Sequence, residues 1–213
     1  VPQGLRVIEI GCGQGDLLAA LKPSAGVGVD FSGEMNKRAS KRHPWLRFIQ
    51  ADAHELLIDE QFDIIIFSDV INELWDVQTI FEKMTTMVHP RTRLILNTYS
   101  RLWEIPLVMA QRLGLSVPNL EQNWLTVEDI TNLLKLTGFE VIKHSREILL
   151  PVHIPLICGL ANRILAKLWP LSHVALTNFV IARPAWLTER SSSTEKQLVS
   201  VIIPALNEAG NIE

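Results

Sequence analysis

Three alternating glycines, Gly11, Gly13 and Gly15, lie between two carboxylates, Glu9 and Asp16. Glycine lets a backbone turn tightly and lets a ligand lie against it, because no Cβ is in the way. A dinucleotide-binding loop has the spacing G-x-G-x-x-G, and this chain has Asp16 where the last glycine would stand. A carboxylate there would repel a pyrophosphate from the positive end of the following helix. The loop therefore favours a ligand that has no phosphate and carries a positive charge.

Further carboxylates, Asp30, Asp52 and Asp69, stand at or just after later apolar runs. A carboxylate at a strand end, such as Asp30, can accept hydrogen bonds from two hydroxyl groups at once. The structural alternatives are a helix cap for Asp30 and a turn residue for Asp52. Cys12 is interpreted as a small filler between the glycines, since a reactive thiol needs an adjacent base or cation. His54 is interpreted as a loop residue rather than a catalyst, although its ordinary pKa would suit acid–base chemistry.

Apolar runs typical of buried strands alternate with helical patterns along the chain. The strands are predicted at residues 6–10, 26–30, 46–50, 62–68, 93–98, 139–143 and 176–182, and the helices at 16–21, 34–42, 77–88 and 127–136. The strand runs are rich in Val and Ile without alternation, which indicates a sheet covered by helices on both faces. This order predicts an α/β, doubly wound, mostly parallel sheet with its ligands at the carboxyl ends of the strands.

The last predicted helix has recognisable ends. Thr126 stands just before it and Asp129 three residues later, which predicts a variant of the capping box. Gly138 stands just after it, where a left-handed glycine commonly ends a helix.

The charge and cysteine content of the chain limit the kinds of partner and metal site that we expect. The 213 residues contain 20 Lys+Arg and 23 Asp+Glu, a formal net charge of -3, and no basic stripe, so we expect no nucleic acid partner. Cys12 and Cys158 are too few for a disulfide framework and have no zinc-ligand spacing. We therefore expect no metal site and a reducing, cytoplasmic setting. The longest apolar stretch, residues 148–161, is shorter than the roughly 20 residues of a membrane-spanning helix.

The glycine loop and the first acidic residue after it resemble a known family. The pattern Glu9-x-Gly11-x-Gly13-x-Gly15 is similar to the first motif of class I S-adenosylmethionine-dependent methyltransferases, and Asp30 is similar to the acidic residue that ends their second strand.

Later motifs follow in the order of the same family. Asp52 is similar to its third-strand motif, residues 62–70 to its fourth strand and the loop after it, and Gly138-Phe139 to the start of its sixth strand. A single glycine loop is a weak motif, but five motifs in the right order are specific. The resemblance covers about residues 3–184 and implies a Rossmann-like, seven-stranded sheet with a reversed last strand.

The resemblance implies that S-adenosyl-L-methionine is the cofactor and gives roles to several residues. In that family the acidic residue at Asp30 accepts hydrogen bonds from both ribose hydroxyls, and the one at Asp52 accepts from the adenine amino group. Ser68 or Asp69 then contacts the methionine part. The residues implied for cofactor binding are Glu9, Gly11, Cys12, Gly13, Gly15, Asp30, Phe31, Asp52, Ala53, Ser68 and Asp69.

The loop after the fourth strand bears on the acceptor. Methyltransferases that act on DNA bases or on protein glutamine carry an (Asn/Asp)-Pro-Pro-(Tyr/Phe) run there, whereas residues 68–71 are Ser-Asp-Val-Ile. We therefore expect a small-molecule or lipid-linked acceptor. The polar candidates near it are Asp69, Asn72, Glu73, Tyr99 and Arg101, which form no recognisable catalytic set, so no catalytic residue is named. Asn72 and Glu73 are interpreted as the cap and a first-turn residue of the next helix.

The second half of the chain contains two segments with a separate interpretation. Residues 151–171 carry an apolar helical stripe with Arg163 and Lys167 on the polar side; they form either a cover helix or an interfacial helix that touches a membrane. Residues 188–197 are polar and Ser-rich and predict a linker after a methyltransferase domain at 1–187. Residues 198–213 resemble the opening strand of family-2 (GT-A) glycosyltransferases, which implies a fused glycosyltransferase domain.

Three functions stay open on the sequence alone. A methyltransferase is the leading hypothesis, with a location in the cytoplasm or at the inner face of a membrane. A nicotinamide-dependent oxidoreductase is disfavoured by the broken dinucleotide pattern around Asp16. A non-catalytic cofactor-binding or scaffold domain of a bifunctional glycosyltransferase is the third, because the sequence does not identify a catalytic base.

Overall fold

Seven strands form one sheet in the computed structural model, which describes residues 1–112, 123–147 and 176–185. The strands are β1 (Arg6–Ile10), β2 (Ala25–Asp30), β3 (Arg47–Gln50), β4 (Ile64–Phe67), β5 (Arg93–Tyr99), β6 (Phe139–Glu147) and β7 (Thr177–Pro184). Their order across the sheet is β3-β2-β1-β4-β5-β7-β6. The predicted doubly wound α/β sheet is confirmed.

The directions of the strands indicate at which edge of the sheet a ligand would bind. β1 to β5 run parallel to their neighbours, whereas β7 is antiparallel to both β5 and β6. The reversed last strand is therefore also confirmed. Because β1 to β5 are parallel, their carboxyl ends lie along one edge of the sheet, where α/β proteins of this kind bind ligands.

Five helices are present in the described residues: α1 (Asp16–Ala20), α2 (Gly33–Arg42), α3 (Val77–Met84), α4 (Glu104–Arg112) and α5 (Val127–Leu136). The helix predicted over 77–88 ends earlier, at Met84, and continues as the 3-10 turn Thr85–Met87. The predicted capping box of α5 is confirmed, since Thr126 and Asp129 each accept a backbone N–H of the other. Gly138 follows with a left-handed φ of 84°.

The caps of two other helices correct the sequence analysis. Ser32 caps α2, since its hydroxyl accepts from Met35 N, so the alternative role of Asp30 as that cap is wrong. Asp76 caps α3, since its carboxylate accepts from Thr79 N. Asn72 is therefore not the cap of that helix.

Side chains of β1 pack against both layers of helices. In β1, Ile8 belongs to the larger apolar cluster and Val7 to a smaller cluster on the other face, as alternation along a strand requires. The larger cluster contains Phe81 of α3 and Ile130 of α5, and the smaller one contains Leu18 of α1. Apolar material on both faces fixes the register of the strands and hence the positions of their carboxyl ends.

Several predicted segments lie outside the described residues: the insert at 151–171, the linker at 188–197 and the glycosyltransferase-like residues 198–213. Cys158 also lies outside them. Within the described ranges, none of the helices has the length and apolar character needed to cross a membrane.

Candidate functional site

The glycine loop is held against β2 by backbone hydrogen bonds. The amides of Gly11 and Cys12 both donate to Val29 O, at 2.8 and 3.0 Å. Gly11 has a left-handed φ of 74°, and a Cβ on it would lie 2.8 Å from the side chain of Val70. Gly13 is also left-handed, but a Cβ on it would meet no atom within 4 Å. The loop therefore needs glycine at Gly11 for packing and leaves open space beside Gly13.

Asp30 closes the loop from the end of β2. One carboxylate oxygen accepts from Gly13 N at 2.8 Å and the other from Ser32 N at 2.9 Å. Each carboxylate oxygen can accept more than one hydrogen bond, so both keep capacity for a ligand hydroxyl. The role of Asp30 toward two hydroxyls stays a prediction, and this geometry is compatible with it.

Glu9 is a buried acid beside the loop. Glu9 is only 2% exposed, and its Oε2 atom has no hydrogen-bond partner among the described residues. Burial raises the pKa of Glu9 to about 7 and the charge of Asp30 adds to the rise, while a backbone hydrogen bond from Leu18 opposes it. An orphaned carboxyl oxygen is costly to bury, and a positively charged ligand group is the complement it lacks.

Cys12 packs rather than reacts. Its sulfur would lie 2.7 Å from a Cβ placed on Gly28, so it fills the space above β2. Burial, followed by the charges of Glu9 and Asp30, raises the pKa of the Cys12 thiol to about 12. Because the thiolate is the reactive form, this environment suits the predicted filler and disfavours a nucleophile.

A cavity of about 210 Å³ opens at the carboxyl ends of β1, β2 and β3. Five of the predicted cofactor residues line it: Gly11, Asp30, Phe31, Asp52 and Ala53. The structure thus brings residues from three separate motifs to one space.

Ser68 is not brought to this cavity. It lines another one, of about 170 Å³, together with Ile66 and Asn97. Alternation along β4 explains this, because Ser68 follows Ile66 by two residues and takes the same face of the sheet.

The wall near Asp52 is organised by His54. Asp52 Oδ1 accepts from both the backbone N and Nδ1 of His54, each at 2.8 Å, and these hydrogen bonds lower the pKa of Asp52. His54 Nε2 accepts from Asp76 N at 3.2 Å, which assigns the ring proton to Nδ1. His54 also stacks on Trp75, with ring centroids 4.4 Å apart. His54 thus serves as a structural loop residue that fixes a carboxylate and an aromatic ring.

Trp75 and Phe31 are aromatic rings on the wall of the 210 Å³ cavity that remain largely exposed, at 75% and 68%. Exposed aromatic faces at a cavity suit the stacking of a flat ligand group. Phe31 is among the residues predicted from the sequence, whereas Trp75 carries no motif of its own and was not predicted. Glu73 and Leu74 also line the cavity and were not assigned to the cofactor site.

The turn after β4 contains a polar cluster that is anchored on the buried side chain of Asn97. Asp69 has a left-handed φ of 55°; its amide donates to Asn97 Oδ1 at 2.9 Å, and its carboxylate accepts from Asn97 Nδ2. Tyr99 also hydrogen-bonds to Asp69; burial first, and then Asp69 and Glu73, raise the pKa of Tyr99 to about 12. Burial, together with Asp69 and Asp30, raises the pKa of Glu73. A left-handed non-glycine residue is strained, and such strain is found most often at functional sites.

Asn72 ties this turn to distant segments. Its Oδ1 accepts from Tyr99 N at 3.0 Å, and its Nδ2 donates to Asn123 O at 2.9 Å. The side chain is buried and the turn Ile71–Glu73 is a 3-10 helix. The interpretation of Asn72 as a helix cap is therefore wrong, because both of its polar atoms hold other strands and loops.

In the described ranges, no group of three or more His, Cys, Asp or Glu side chains could hold a metal ion. The model of the family described as "Methyltransferase domain" matches residues 2–144. The chain is 28% identical over 151 residues to a ubiquinone biosynthesis O-methyltransferase of Bradyrhizobium diazoefficiens; the match covers 62% of this chain and 56% of that protein. The chain thus spans little more than half the length of that relative.

Two solved structures share the fold. An S-adenosylmethionine-dependent methyltransferase from Mesorhizobium loti has a TM-score of 0.65 at 21% identity, covering 85% of this chain and 91% of that one. The magnesium protoporphyrin IX methyltransferase of Synechocystis, solved with bound S-adenosylhomocysteine, has a TM-score of 0.58 at 18% identity, covering 85% and 74%.

Proposed function

The chain belongs to the methyltransferase domain family, and we propose that it transfers a methyl group to a hydroxyl oxygen of a small-molecule or lipid-linked acceptor. S-adenosyl-L-methionine is the cofactor. When bound, it supplies a methyl group on a positively charged sulfur and leaves as neutral S-adenosylhomocysteine.

The residues of the loop fit this cofactor. The unpartnered oxygen of Glu9 lacks a positive complement, and the space beside Gly13 is open. We assign the ribose hydroxyls to Asp30, the adenine amino group to Asp52 and the adenine faces to Phe31. The loop residues Gly11, Cys12 and Gly15, together with Ala53, shape the walls, and Asp69 contacts the methionine part.

The observation that supports an oxygen as the accepting atom is the presence of two carboxylates after β4, Asp69 and Glu73. A hydroxyl group that is methylated loses a proton, and a carboxylate with a raised pKa accepts one more readily. Glu73 lines the same cavity as Asp30, and burial together with neighbouring charges raises its pKa. Glu73 is therefore proposed to take the proton from the acceptor hydroxyl as the acceptor oxygen bonds to the methyl carbon. A relative named as an O-methyltransferase supports the same choice of atom.

Other parts of the hypothesis rest on the sequence alone. The fused glycosyltransferase domain rests on residues 198–213, and the peripheral membrane contact on residues 151–171. The cytoplasmic location rests on the small number of cysteines. Neither an oxidoreductase nor a non-catalytic scaffold gains support from the relatives.

Calorimetric titration tests the cofactor, with S-adenosylhomocysteine and NAD titrated separately. We expect the first to bind and the second not to bind. Asp30→Ala should weaken binding of S-adenosylhomocysteine by about 1.5–3 kcal/mol, because a charged hydrogen-bond acceptor is lost. Asp30→Asn, which keeps the shape and one carbonyl oxygen, should lose less. Equal affinity in all three proteins would remove Asp30 from the cofactor site.

Turnover of catechol tests the acceptor atom and the base. Glu73→Gln should lower kcat by about 100-fold or more, and the loss should shrink as pH rises and the hydroxyl ionises unaided. Glu55→Gln, an exposed residue outside the cavity, is the matched control and should leave kcat unchanged. A Glu73→Gln protein with normal kcat at every pH contradicts its role as a base.

A further inference from the structure

A further cavity, of about 360 Å³, lies at the same edge of the sheet beside the turn after β4. Its walls come from the loop after β5, the start of α5, the end of β6 and the start of β7. The strand register explains the meeting: Thr98 of β5 pairs with Asn178 of β7, which pairs with Arg146 of β6. Arg146 therefore lies in the same row as the carboxyl end of β5, two strands away.

Arg146 is unusual among the arginines. Three arginines are half-buried in the described residues: Arg93, Arg146 and Arg183. Arg93 donates to two backbone carbonyls, and Arg183 forms an ion pair with Glu140 at 3.0 Å. Arg146 has neither kind of partner within the ranges that the structure describes. A partly buried guanidinium without a carboxylate is unfavourable, so its place in a cavity wall suits an anionic ligand.

A second arginine faces the same space. Arg101 lines the cavity together with Arg146, and the polar residues Ser100 and Asn178 add hydrogen-bonding groups. Three acids reduce the positive charge: Glu104 Oε2 lies 3.9 Å from Arg101 Nε, Glu128 is part of the wall, and the charge of Arg101 helps to lower the pKa of Asp129 after the hydrogen bonds from Thr126. Because the Arg101–Glu104 pair is exposed and long, it leaves the guanidinium available to a ligand.

The cavity that Arg101 and Arg146 line, here called the arginine cavity, is connected by hydrogen bonds to the turn that contains Glu73. Tyr99, just before Ser100 and Arg101, donates its amide to Asn72. Asn123, which precedes the Leu125–Thr126 wall, donates its amide to Asn72 O and its Nδ2 to Leu74 O. Two walls of the arginine cavity thus extend from segments hydrogen-bonded to the turn beside Glu73. An acceptor along this edge can place its hydroxyl near Glu73 and another group near the arginines.

We propose that Arg101 and Arg146 bind an acidic group of the acceptor, a carboxylate or a phosphate, and so select anionic acceptors. This inference rests on the proposed O-methyl transfer for its substrate, but the binding site itself can be tested without turnover. A planar guanidinium can hold either group through two parallel hydrogen bonds.

The test compares three probes on the full chain: catechol, 3,4-dihydroxybenzoate and 2-hydroxyphenyl phosphate. Calorimetry should show at least one acidic probe binding about 10-fold or more tightly than catechol. Arg146→Gln should remove that advantage, and Arg101→Gln should reduce it. Arg183→Gln, a half-buried arginine on the neighbouring strand with its own partner Glu140, is the matched control and should change nothing. Glu128→Gln should strengthen binding of the acidic probe by a few fold.

The outcomes separate the two proposals. If the carboxylate probe alone binds tightly, the source is a carboxylic acid; if the phosphate probe alone does, it is a phosphate ester. Acidic probes that bind no better than catechol, or an advantage that survives in both Arg146→Gln and Arg101→Gln, overturn the anion site. Methylation of catechol in that case would leave the proposed function standing. Arginine-dependent binding without turnover of any hydroxyl probe would support the anion site and overturn the function instead.

Discussion

The two halves of the carboxyl edge are held together by different kinds of hydrogen bond. In the half formed by β1 and β2, backbone amides of Gly13 and Ser32 donate to Asp30, within a stretch of about twenty residues. In the half formed by β4, β5 and β7, Asn72 and Asn123 join segments 51 residues apart through side-chain amides. The first half, here called the glycine half, is formed by one short segment of the chain. The second, here called the asparagine half, is formed by segments that meet only in the folded chain.

This difference should separate the effects of substitution. A change in the glycine half alters backbone geometry next to the cofactor cavity, so it should affect binding together with local stability. A change in the asparagine half leaves buried donors or acceptors without partners, so it should mainly lower the free energy of unfolding. Substitutions in the two halves test that contrast.

Gly11→Val should have the largest effect. The left-handed backbone costs a branched residue about 1–2 kcal/mol, and the contact with Val70 adds about 1–3 kcal/mol. We expect the free energy of unfolding to fall by about 2–5 kcal/mol in urea titrations and S-adenosylhomocysteine binding to be lost. Gly4→Val is the matched control: its φ is 78°, but a Cβ there meets nothing within 4 Å. Equal losses in both variants would mean that the contact with Val70 is unimportant.

Glu9→Gln should change how stability depends on pH. The pKa of Glu9 rises from 4.5 to about 7 on folding, so between these values the folded chain binds more protons than the unfolded one. The wild type should therefore lose free energy of unfolding, relative to Glu9→Gln, as pH rises from 4.5 through 7. The total loss is about 3 kcal/mol. Paired urea titrations across this range measure it, and a constant difference would contradict the burial of Glu9 as an acid.

Asn72→Ala tests the other half. Tyr99 N and Asn123 O would lose their partner, and we expect the free energy of unfolding to fall by about 2–3 kcal/mol. The double variant with Asn123→Ala should lose less than the sum of the two single variants, because both remove the same connection. Fully additive losses would show that the two segments are not coupled. Binding of S-adenosylhomocysteine should change less than in Gly11→Val.

Thr126→Ala should have the smallest effect, about 1 kcal/mol, as is usual for a helix cap. Ser32→Ala is its counterpart in the glycine half, and its loss should be smaller because its cap bond to Met35 N is 3.3 Å long and lacks the reciprocal bond. Thermal unfolding of both variants measures the difference. A larger loss for Ser32→Ala would place more of the stability in the glycine half than the hydrogen bonds suggest.

The same contrast explains which parts of the site were predictable. Gly11, Gly13 and Asp30 have types and spacing that local chemistry dictates, so the sequence predicted both the fold and the residues around the loop. Asn72 was misinterpreted because asparagine is a good helix cap, and nothing nearby shows that its partners are Tyr99 and Asn123.

Other placements that the sequence did not indicate have equally physical causes. Ser68 lies in a different cavity from the one that Asp30 lines, because it takes the same face of the sheet as Ile66 of β4. Trp75 reaches the cavity because the 3-10 turn before it and its stack with His54 set its position. Such placement depends on tertiary contacts and has no counterpart in residue spacing.

The position of β7 has a consequence for synthesis on the ribosome. Among the strands that the structure describes, β1 to β5 pair only with one another and with β7, and β6 pairs with β7 alone. A growing chain can therefore assemble the first five strands while β5 still presents an open edge, and β6 must wait although it has already been made. Open edges invite pairing with other chains. The interval before residues 177–184 leave the exit tunnel is thus when a nascent chain is most exposed to aggregation, and an early stop just before β7 would prolong it.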